Sequence, residues 1–192
     1  LGRRFIFFRP SSQIAFSQSY DVLIRNGKLV DGTGNSWFYG DVGISQGKIV
    51  KVGSLNKSAA AKVIDAQGLI VAPGFIDVHA HIEGGESTTP TADNFIYDGV
   101  TTVVTGNCGE SNTDIGKYLS WLHSLHLSVN VATLIGHNDI RKAVMGLANH
   151  DATPQEMLQM EAMVNKAMQD GAVGLSTGLI YIPGTYTKTP EI

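Results

Sequence analysis

Alternating strand and helix patterns after Pro73 constrain the fold of this chain more than any other feature. The sequence predicts strands at 75–78, 101–105, 128–134 and 172–175, and helices at 91–98, 114–125, 139–148 and 154–170. Alternation of this kind predicts a parallel sheet with helical crossover connections. Four such units fit the first half of a (β/α)8 barrel, an α/β fold whose functional side chains lie at the carboxyl ends of the strands.

The region before Pro73 has a different pattern. Short apolar runs lie between turn residues over 20–72, and short strands at this spacing predict a small β-sandwich segment. Asn26-Gly27, between two of these runs, predicts a hairpin turn. We therefore divide the chain into a leader at 1–19, a β-sandwich segment at 20–72, and the first four β/α units of an incomplete barrel at 73–192.

The two ends of the chain each carry a separate signal. Arg3 and Arg4 precede an apolar run, and Ala15-Phe16-Ser17 resembles a cleavage site, which predicts a degraded signal peptide and export to the periplasm. A disordered leader on a cytoplasmic protein is the alternative. At the other end, Thr189-Pro190-Glu191 predicts the first turn of a helix. We therefore expect the chain to stop inside an element, as a truncated barrel.

Composition limits the classes of partner. The chain has 192 residues, 43% of them hydrophobic, and a net charge of -3, whereas a nucleic-acid-binding surface is basic. No apolar run reaches the ~18–20 residues that a membrane span needs. We therefore expect a small-molecule substrate, with neither a nucleic acid nor a membrane as partner, and the sequence leaves the oligomeric state open.

His79-Ala80-His81 follows the first barrel-type strand. Alternate residues of a strand point to the same face, so Asp77, His79 and His81 are expected to line one side of the strand end. Imidazole nitrogens are common ligands of zinc and related metals, so the two histidines predict a metal site. Two polar residues that leave a strand for a loop are the alternative.

Cys108, the single cysteine of the chain, follows the second predicted strand. One cysteine cannot form an internal disulfide, and a free cysteine is commonly a buried apolar residue. Here Gly106 and Gly109 flank it, where the backbone must turn sharply. This position is a poor one for a core residue and favours a thiolate ligand beside His79 and His81.

Five candidate residues lie at or just after predicted strand ends, where barrel chemistry is found: His79, His81, Cys108, His137 and Tyr181. We predict that the first three bind a metal. His137 either lines the pocket or holds the loop before Arg141 by hydrogen bonds, and we favour the second role. The remaining histidines are predicted to be surface residues: His123, His126 and His150.

Four motifs of the chain resemble one family. The stretch 74–81, Gly-Phe-Ile-Asp-Val-His-Ala-His, resembles the opening strand motif of the amidohydrolase superfamily. The stretch 101–109, which ends in Gly-Asn-Cys-Gly, is similar to a segment that marks the D-aminoacylase (N-acyl-D-amino-acid deacylase) branch. The stretches 130–137 and 171–181 agree, and the second contains Gly-Leu-Ser-Thr-Gly. The resemblance runs from about Tyr20 to Ile192.

The resemblance implies zinc-dependent hydrolysis of the amide bond of N-acyl-D-amino acids to a carboxylate and a D-amino acid. It implies one or two zinc ions, with Cys108 as a main ligand and with His79 and His81 at a second, weaker position. It also implies that Tyr181 contacts the substrate. The family's remaining ligand histidines and its general-base aspartate lie later than Ile192, so we expect these 192 residues alone to be inactive.

Two other interpretations stay open. A cyclic amidase of the dihydroorotase or hydantoinase kind shares the His-x-His strand but normally lacks the cysteine motif. A non-catalytic zinc-binding or scaffold protein, or an inactive fragment, is the interpretation that an incomplete barrel favours. Asp77 is not the catalytic aspartate in any of these, and we expect it to have a structural role near the first strand.

Overall fold

The structure is a computed structural model that describes residues 19–56 and 58–192. The leader predicted at 1–19 therefore lies outside the described residues, apart from Ser19. The chain divides into two compact units, one up to Pro73 and the other from Gly74. No helix among the described residues is long and apolar enough to cross a membrane.

In the described part of the first unit, the strands form one mixed sheet. They are β1 (Ser19–Leu29), β2 (Phe38–Ser45), β3 (Lys48–Gly53), β4 (Ala59–Asp65) and β5 (Ile70–Val71). The order is β3-β2-β1-β4, with β5 also paired to β1. The pairs β1–β2 and β2–β3 are antiparallel, whereas β4 and β5 run parallel to β1. Tyr20, Leu23 and Leu55 form a buried core cluster in this unit.

The hairpin predicted at Asn26-Gly27 is wrong, because β1 runs through both residues. Asn26 has a left-handed backbone, with φ 59°, and the register of β1 against β2 shifts between Ile24 and Gly27. Asparagine tolerates this conformation, and here it produces a bulge within the strand instead of a turn. The two-residue hairpin is Gln46-Gly47, between β2 and β3, where φ is 51° and 70°, as a type I′ turn requires.

The second unit alternates strands with helices, as predicted. Its elements are β6 (Phe75–Asp77), α1 (Asp93–Ile96), β7 (Val100–Thr105), α2 (Ile115–Leu125), β8 (Asn130–Thr133), β9 (Ile135–Gly136), α3 (His137–Met145), α4 (Pro154–Gln169), β10 (Leu175–Ser176), and the 3-10 helices Gly184–Tyr186 and Thr189–Glu191. Parallel pairing joins β6 to β7, β7 to β8, and β9 to β10. The carboxyl ends of paired strands therefore lie at a common edge.

Several boundaries differ from the predicted ones. α1 has 4 residues where the sequence predicts a helix at 91–98, and β10 has 2 where it predicts a strand at 172–175. α3 begins at His137, so this histidine lies in the first turn of the helix. The helix start predicted at Thr189 is a short 3-10 helix. Element ends depend on partners that are distant in sequence, so local patterns locate them least well.

α4 shows why the helices form where they do. Thr153 Oγ1 accepts the N–H of Glu156 at 3.3 Å, and a Glu156 carboxylate oxygen accepts the N–H of Thr153 at 2.8 Å. These two bonds form a capping box, and Pro154 in the first turn lacks an N–H that would have no helical partner. The inner face of α4 joins a buried cluster whose members include Ile135, Ile140, Met160 and Ala167. This packing holds α4 against α3 and β9.

Candidate metal centre

The loop that carries His79 and His81 begins where β6 ends. β6 stops at Asp77, and Asp77 Oδ1 accepts the backbone N–H of His79 at 3.0 Å, which turns the chain away from the strand. β6 is therefore one residue shorter than the strand predicted at 75–78, and the hydrogen bond of Asp77 to the loop agrees with the structural role that we expected for it. Ala80 is buried, and its N–H donates to Val104 O at 3.0 Å, so the loop is anchored on β7.

The Cys108 loop leaves the carboxyl end of β7 in a left-handed turn. Cys108 has φ 57°, between Gly106 at 75° and Gly109 at 81°. A non-glycine residue in this region is uncommon and persists only where its surroundings fix it. Ser176 supplies part of that support, because its Oγ donates to Gly106 O at 2.6 Å and accepts the N–H of Gly109 at 3.0 Å.

Asn107 and Gly178 hold the same loop from two other sides. Asn107 Nδ2 donates to Ala80 O at 3.2 Å and to Val104 O at 2.8 Å, which ties the Cys108 loop to the histidine loop. A Cβ on Gly178 would lie 1.8 Å from Cys108 O, so any side chain at 178 would displace the loop. The motifs at 101–109 and 171–181 therefore meet in space around Cys108.

His79, His81 and Cys108 bring three metal-binding atoms together. Cys108 Sγ lies 3.4 Å from His79 Nε2 and 3.8 Å from His81 Nε2. The ligand atoms of the three residues all lie within 4.8 Å of one another. Within residues 19–56 and 58–192, this is the one cluster of three or more histidine, cysteine or acidic side chains with that geometry.

The distances and the donor types fit zinc. A Zn–S bond of about 2.3 Å and a Zn–N bond of about 2.0–2.1 Å at a tetrahedral angle separate sulfur from nitrogen by about 3.6 Å. The two observed separations, 3.4 and 3.8 Å, lie on either side of that value. Cys108 is half-buried and both histidines are exposed, so the cluster has an open side, as a catalytic metal site requires.

Glu83 adjoins the cluster, and sequence reasoning missed it. Glu83 Oε1 accepts the Thr105 hydroxyl and, at 3.1 Å, the N–H of Gly106, while Oε2 lies 3.9 Å from His81 Nδ1. Partial burial alone would raise the pKa of Glu83, but these hydrogen bonds and the nearby His81 together hold that pKa below its ordinary value. The sequence contains one indication of Glu83, which is its spacing: it follows His81 by two residues, as His81 follows His79.

His137 lies outside the donor cluster, buried at the start of α3. Its Nε2 lies 3.0 Å from Glu191 Oε1, and the same carboxylate accepts a hydrogen bond from the fully buried Arg141 guanidinium. His137 therefore makes a hydrogen bond of the kind that we favoured, although its partner is Glu191 and not the loop before Arg141. Glu191 therefore forms a buried ion pair with Arg141 and also contacts His137, and we assign this group a structural role.

Tyr181 lies beside the Cys108 loop but is not part of the donor cluster. Its backbone N–H donates to Gly178 O at 3.0 Å, and its ring Cδ2 would lie 3.0 Å from a Cβ on Gly178. Tyr181 is 48% exposed, which leaves its ring accessible to a ligand. The surface positions predicted for three histidines are confirmed: His123, His126 and His150 are all exposed.

An open cleft beside His81 is large enough for a small molecule. Its volume is about 920 Å³, and Glu83, Glu86 and Tyr118 contribute to its lining, whereas small-molecule sites range over about 300–1,000 Å³. Glu86 is buried and accepts the Tyr118 hydroxyl at 2.9 Å. Burial and this carboxylate raise the pKa of Tyr118.

The chain is similar to three known enzymes. It is 35% identical to D-aminoacylase from Alcaligenes xylosoxydans xylosoxydans over 92% of this chain and 41% of that protein. It is 36% identical to N-acyl-D-aspartate deacylase from the same organism, over 90% of this chain and 39% of that relative. The crystal structure of N-acyl-D-glutamate deacylase from Bordetella bronchiseptica, complexed with zinc and a phosphonate inhibitor, matches with a TM-score of 0.86 and 35% identity over 91% of this chain and 41% of that one.

The chain therefore spans about two-fifths of the length of these relatives. The model of the amidohydrolase family matches residues 62–190, about two-thirds of the chain. The matched region runs from β4 to the second 3-10 helix and contains all three donors of the cluster as well as Tyr181. This chain belongs to the amidohydrolase family.

Proposed function

We propose that the full-length protein is a zinc-dependent hydrolase that cleaves the amide bond of N-acyl-D-amino acids to a carboxylate and a D-amino acid. The observation that carries the proposal is the convergence of His79, His81 and Cys108, whose ligand atoms lie within 4.8 Å of one another. The chain that contains this cluster is 35–36% identical to a D-aminoacylase and an N-acyl-D-aspartate deacylase.

The proposal includes the architecture of the whole protein. The mixed sheet of the first unit is proposed to be part of a β-sandwich, and the parallel strands of the second unit are proposed to be the first half of a (β/α)8 barrel. Two observations support this. The second unit alternates strands with helices, and the candidate donors follow the carboxyl ends of β6 and β7, where such barrels carry their chemistry.

The metal is proposed to be zinc, one ion or two, held by His79, His81 and Cys108. Zinc bound here would lower the pKa of its water toward neutrality and polarise the amide carbonyl. Cys108 would hold the metal as a thiolate from the β7 side, which would neutralise part of the metal charge. The two imidazoles supply neutral donors from the β6 side, and Asp77 and Asn107 hold the backbones of the two loops.

The other catalytic parts come from two places. Tyr181 is proposed to contact the substrate, because its exposed ring lies against Gly178 and so beside the Cys108 loop. The carboxylate that takes the proton from water and passes it to the leaving nitrogen is proposed to be an aspartate of the full-length protein after Ile192. The relatives are named for different amino acids, aspartate in one and glutamate in another. The preferred side chain of the substrate must therefore be determined with a panel of substrates.

The test is an assay of the full-length protein, with metal analysis of the same sample. N-acetyl derivatives of D- and L-methionine, leucine, aspartate and glutamate form the panel, together with cyclic ureides such as hydantoins. We expect release of the D-amino acid with bound zinc, and loss of both on chelation. Equal turnover of the two enantiomers, or preference for L, would contradict the proposal, and ring opening of cyclic ureides in place of deacylation would indicate a cyclic amidase. Bound zinc without turnover of any substrate would indicate a non-catalytic zinc protein.

A further inference from the structure

One carboxylate lies between the two loops that carry the candidate zinc ligands. Glu83 follows the histidine loop by two residues, and its side chain crosses to the end of β7. There, Oε1 accepts the Thr105 hydroxyl and the N–H of Gly106, the second at 3.1 Å. Its other oxygen, Oε2, faces back toward His81 Nδ1 at 3.9 Å. The two oxygens of this group therefore act on different loops.

On the β7 side, Glu83 holds the point at which the Cys108 loop leaves its strand. Thr105 is the last residue of β7 and is fully buried, and Gly106 begins the left-handed turn that contains Cys108. Hydrogen bonds to a carboxylate are stronger than those to a neutral acceptor. Loss of the carboxylate would leave the Thr105 hydroxyl and the Gly106 N–H to find other acceptors, and the turn would lose one of its supports.

On the histidine side, Glu83 faces the ring edge that points away from the cluster. His81 Nε2 is the nitrogen that lies 3.8 Å from Cys108 Sγ, so Nδ1 is the nitrogen that remains for Glu83. The 3.9 Å separation exceeds a hydrogen bond, and the interaction is therefore electrostatic in this arrangement. The carboxylate therefore faces the side of the His81 ring that is turned away from Cys108, where it can restrain the orientation of the ring.

We propose that Glu83 is a positioning residue that couples His81 to the Cys108 loop and thereby sets the affinity of the site for zinc. This inference rests on the metal site in the proposed function. Glu83 is not itself one of the clustered donors, and its Oε1 is already used by two hydrogen bonds from β7 and the residue after it. It therefore acts through His81 and Cys108 and not as a ligand.

The test uses three variants of the full-length protein: Glu83→Ala, Glu83→Gln and Thr105→Val. Glu83→Gln keeps an oxygen acceptor for Thr105 and Gly106 but removes the charge that faces His81. Thr105→Val removes one donor to the carboxylate without changing side-chain size. Glu110→Gln is the matched control, because it removes a carboxylate two residues after Cys108 whose side chain makes no hydrogen bond among the described residues.

Two measurements on each variant separate positioning from general stability. Zinc affinity is measured by competition with a chromophoric chelator, and the thiolate-to-cobalt absorption of the cobalt-substituted protein reports the geometry at Cys108. Loss of a group that orients a metal ligand typically weakens metal binding by about 10- to 100-fold, which we expect for Glu83→Ala. We expect about a fivefold loss for Thr105→Val, as for one hydrogen bond, an intermediate loss for Glu83→Gln, and a shifted cobalt band in all three.

The outcomes distinguish this inference from the proposed function. Wild-type affinity and an unchanged cobalt band in all three Glu83 and Thr105 variants would overturn the positioning role while leaving the metal site intact. Loss of a whole equivalent of metal in Glu83→Gln would also overturn it, because it would make Glu83 a ligand. A wild-type protein without zinc would refute both. If Glu83→Ala fails to fold, the size-matched Glu83→Gln and Thr105→Val decide the question, with the melting temperature of each metal-free protein as the check.

Discussion

Each unit contains a non-glycine residue with a left-handed backbone and a group of polar side chains next to it. The two groups differ in the partners of their polar atoms. In the first unit, Asn26 has φ 59°, and the buried Asp41 accepts the N–H of Asn26 at 3.0 Å and that of Leu55 at 2.7 Å. In the second unit, Cys108 has φ 57°, and its sulfur faces the ring nitrogens of His79 and His81.

The difference separates side chains that hold the fold from side chains that are available to a ligand. Both carboxylate oxygens of Asp41 are used by backbone donors, so that group is complete without any added partner. The sulfur and the two ring nitrogens of the second group lie close together, as part of a cluster within 4.8 Å, an arrangement that a zinc ion would complete. Substitutions in the Asp41 group should therefore change stability, whereas those in the Cys108 group should change metal binding and activity.

The largest effect is expected for Cys108→Ala in the full-length protein. A zinc site supplies several kcal/mol of transition-state stabilisation, so we expect a loss on the order of 10³-fold or more in kcat/KM, with loss of tightly bound zinc. Metal analysis and turnover of N-acetyl-D-methionine are the measurements. Cys108→Ser is the size-matched control for the thiolate, and it should lose zinc as well. A Cys108→Ala protein that keeps the full zinc content of the wild type would show that Cys108 is not a ligand.

Asp41→Ala should lower stability and leave zinc binding unchanged, the opposite of the effect expected for Cys108→Ala. It leaves the buried N–H of Leu55 and the partly buried N–H of Asn26 without their acceptor, and the free energy of unfolding should fall by about 2–4 kcal/mol. Chemical denaturation measures that loss, and the zinc content of the remaining folded protein should stay at the wild-type level. Asp41→Asn, which keeps one acceptor oxygen, should lose less stability. Unchanged stability in Asp41→Ala would break the comparison, because the group would then not hold the fold.

Gly178→Ala should lower both the stability of the protein and its affinity for zinc. The added Cβ would lie 1.8 Å from Cys108 O, so the loop must move, and overpacking of this kind typically costs about 1–3 kcal/mol. We expect a lower melting temperature and weaker zinc binding in the same variant. Gly85→Ala is the matched control, because a Cβ there would meet its nearest atom at 3.5 Å. Full zinc affinity in Gly178→Ala would show that the shape of the Cys108 loop is not required for metal binding.

The smallest effect is expected at the capping box of α4, which belongs to neither group. Backbone and side-chain hydrogen bonds from Thr153 hold the pKa of Glu156 below its ordinary value, so its contribution to helix stability is present at neutral pH and lost as the pH falls below about 4. In a peptide spanning 151–171, circular dichroism should show lower helicity in acid. The Glu156→Gln peptide keeps the capping geometry without the charge, so its helicity should fall less. Identical acid profiles would contradict the prediction.

The meeting of His79, His81 and Cys108 could be predicted because each step of the inference is local or general. The His-x-His pair and the cysteine each follow a short apolar strand, and paired parallel strands place their carboxyl ends at one edge. Their role as ligands stays a proposal, as does that of Tyr181. The capping box of α4 is local in the same sense, because Thr153 and Glu156 are three residues apart.

The features that sequence reasoning missed depend on partners far along the chain. Asn26 can form a turn or a bulge, and its contacts with Asp41 and Asp65, 15 and 39 residues away, accompany the bulge. Glu83 finds its partners 22 and 23 residues later, at Thr105 and Gly106. A window of local sequence contains no record of such pairs. The spacing from His81 marks Glu83 as a candidate, but the contacts of Glu83 and the bulge at Asn26 could not be read from pattern alone.

The support of the Cys108 loop by Ser176 has a consequence for biosynthesis. The two hydrogen bonds that Ser176 makes to Gly106 and Gly109 span 70 and 67 residues. At about 5–20 residues per second of translation, roughly 3–14 s pass between the synthesis of Cys108 and that of Ser176. During that interval the thiol of the nascent chain lacks its native surroundings, so the proposed zinc site cannot adopt its native geometry before β10 has been synthesised.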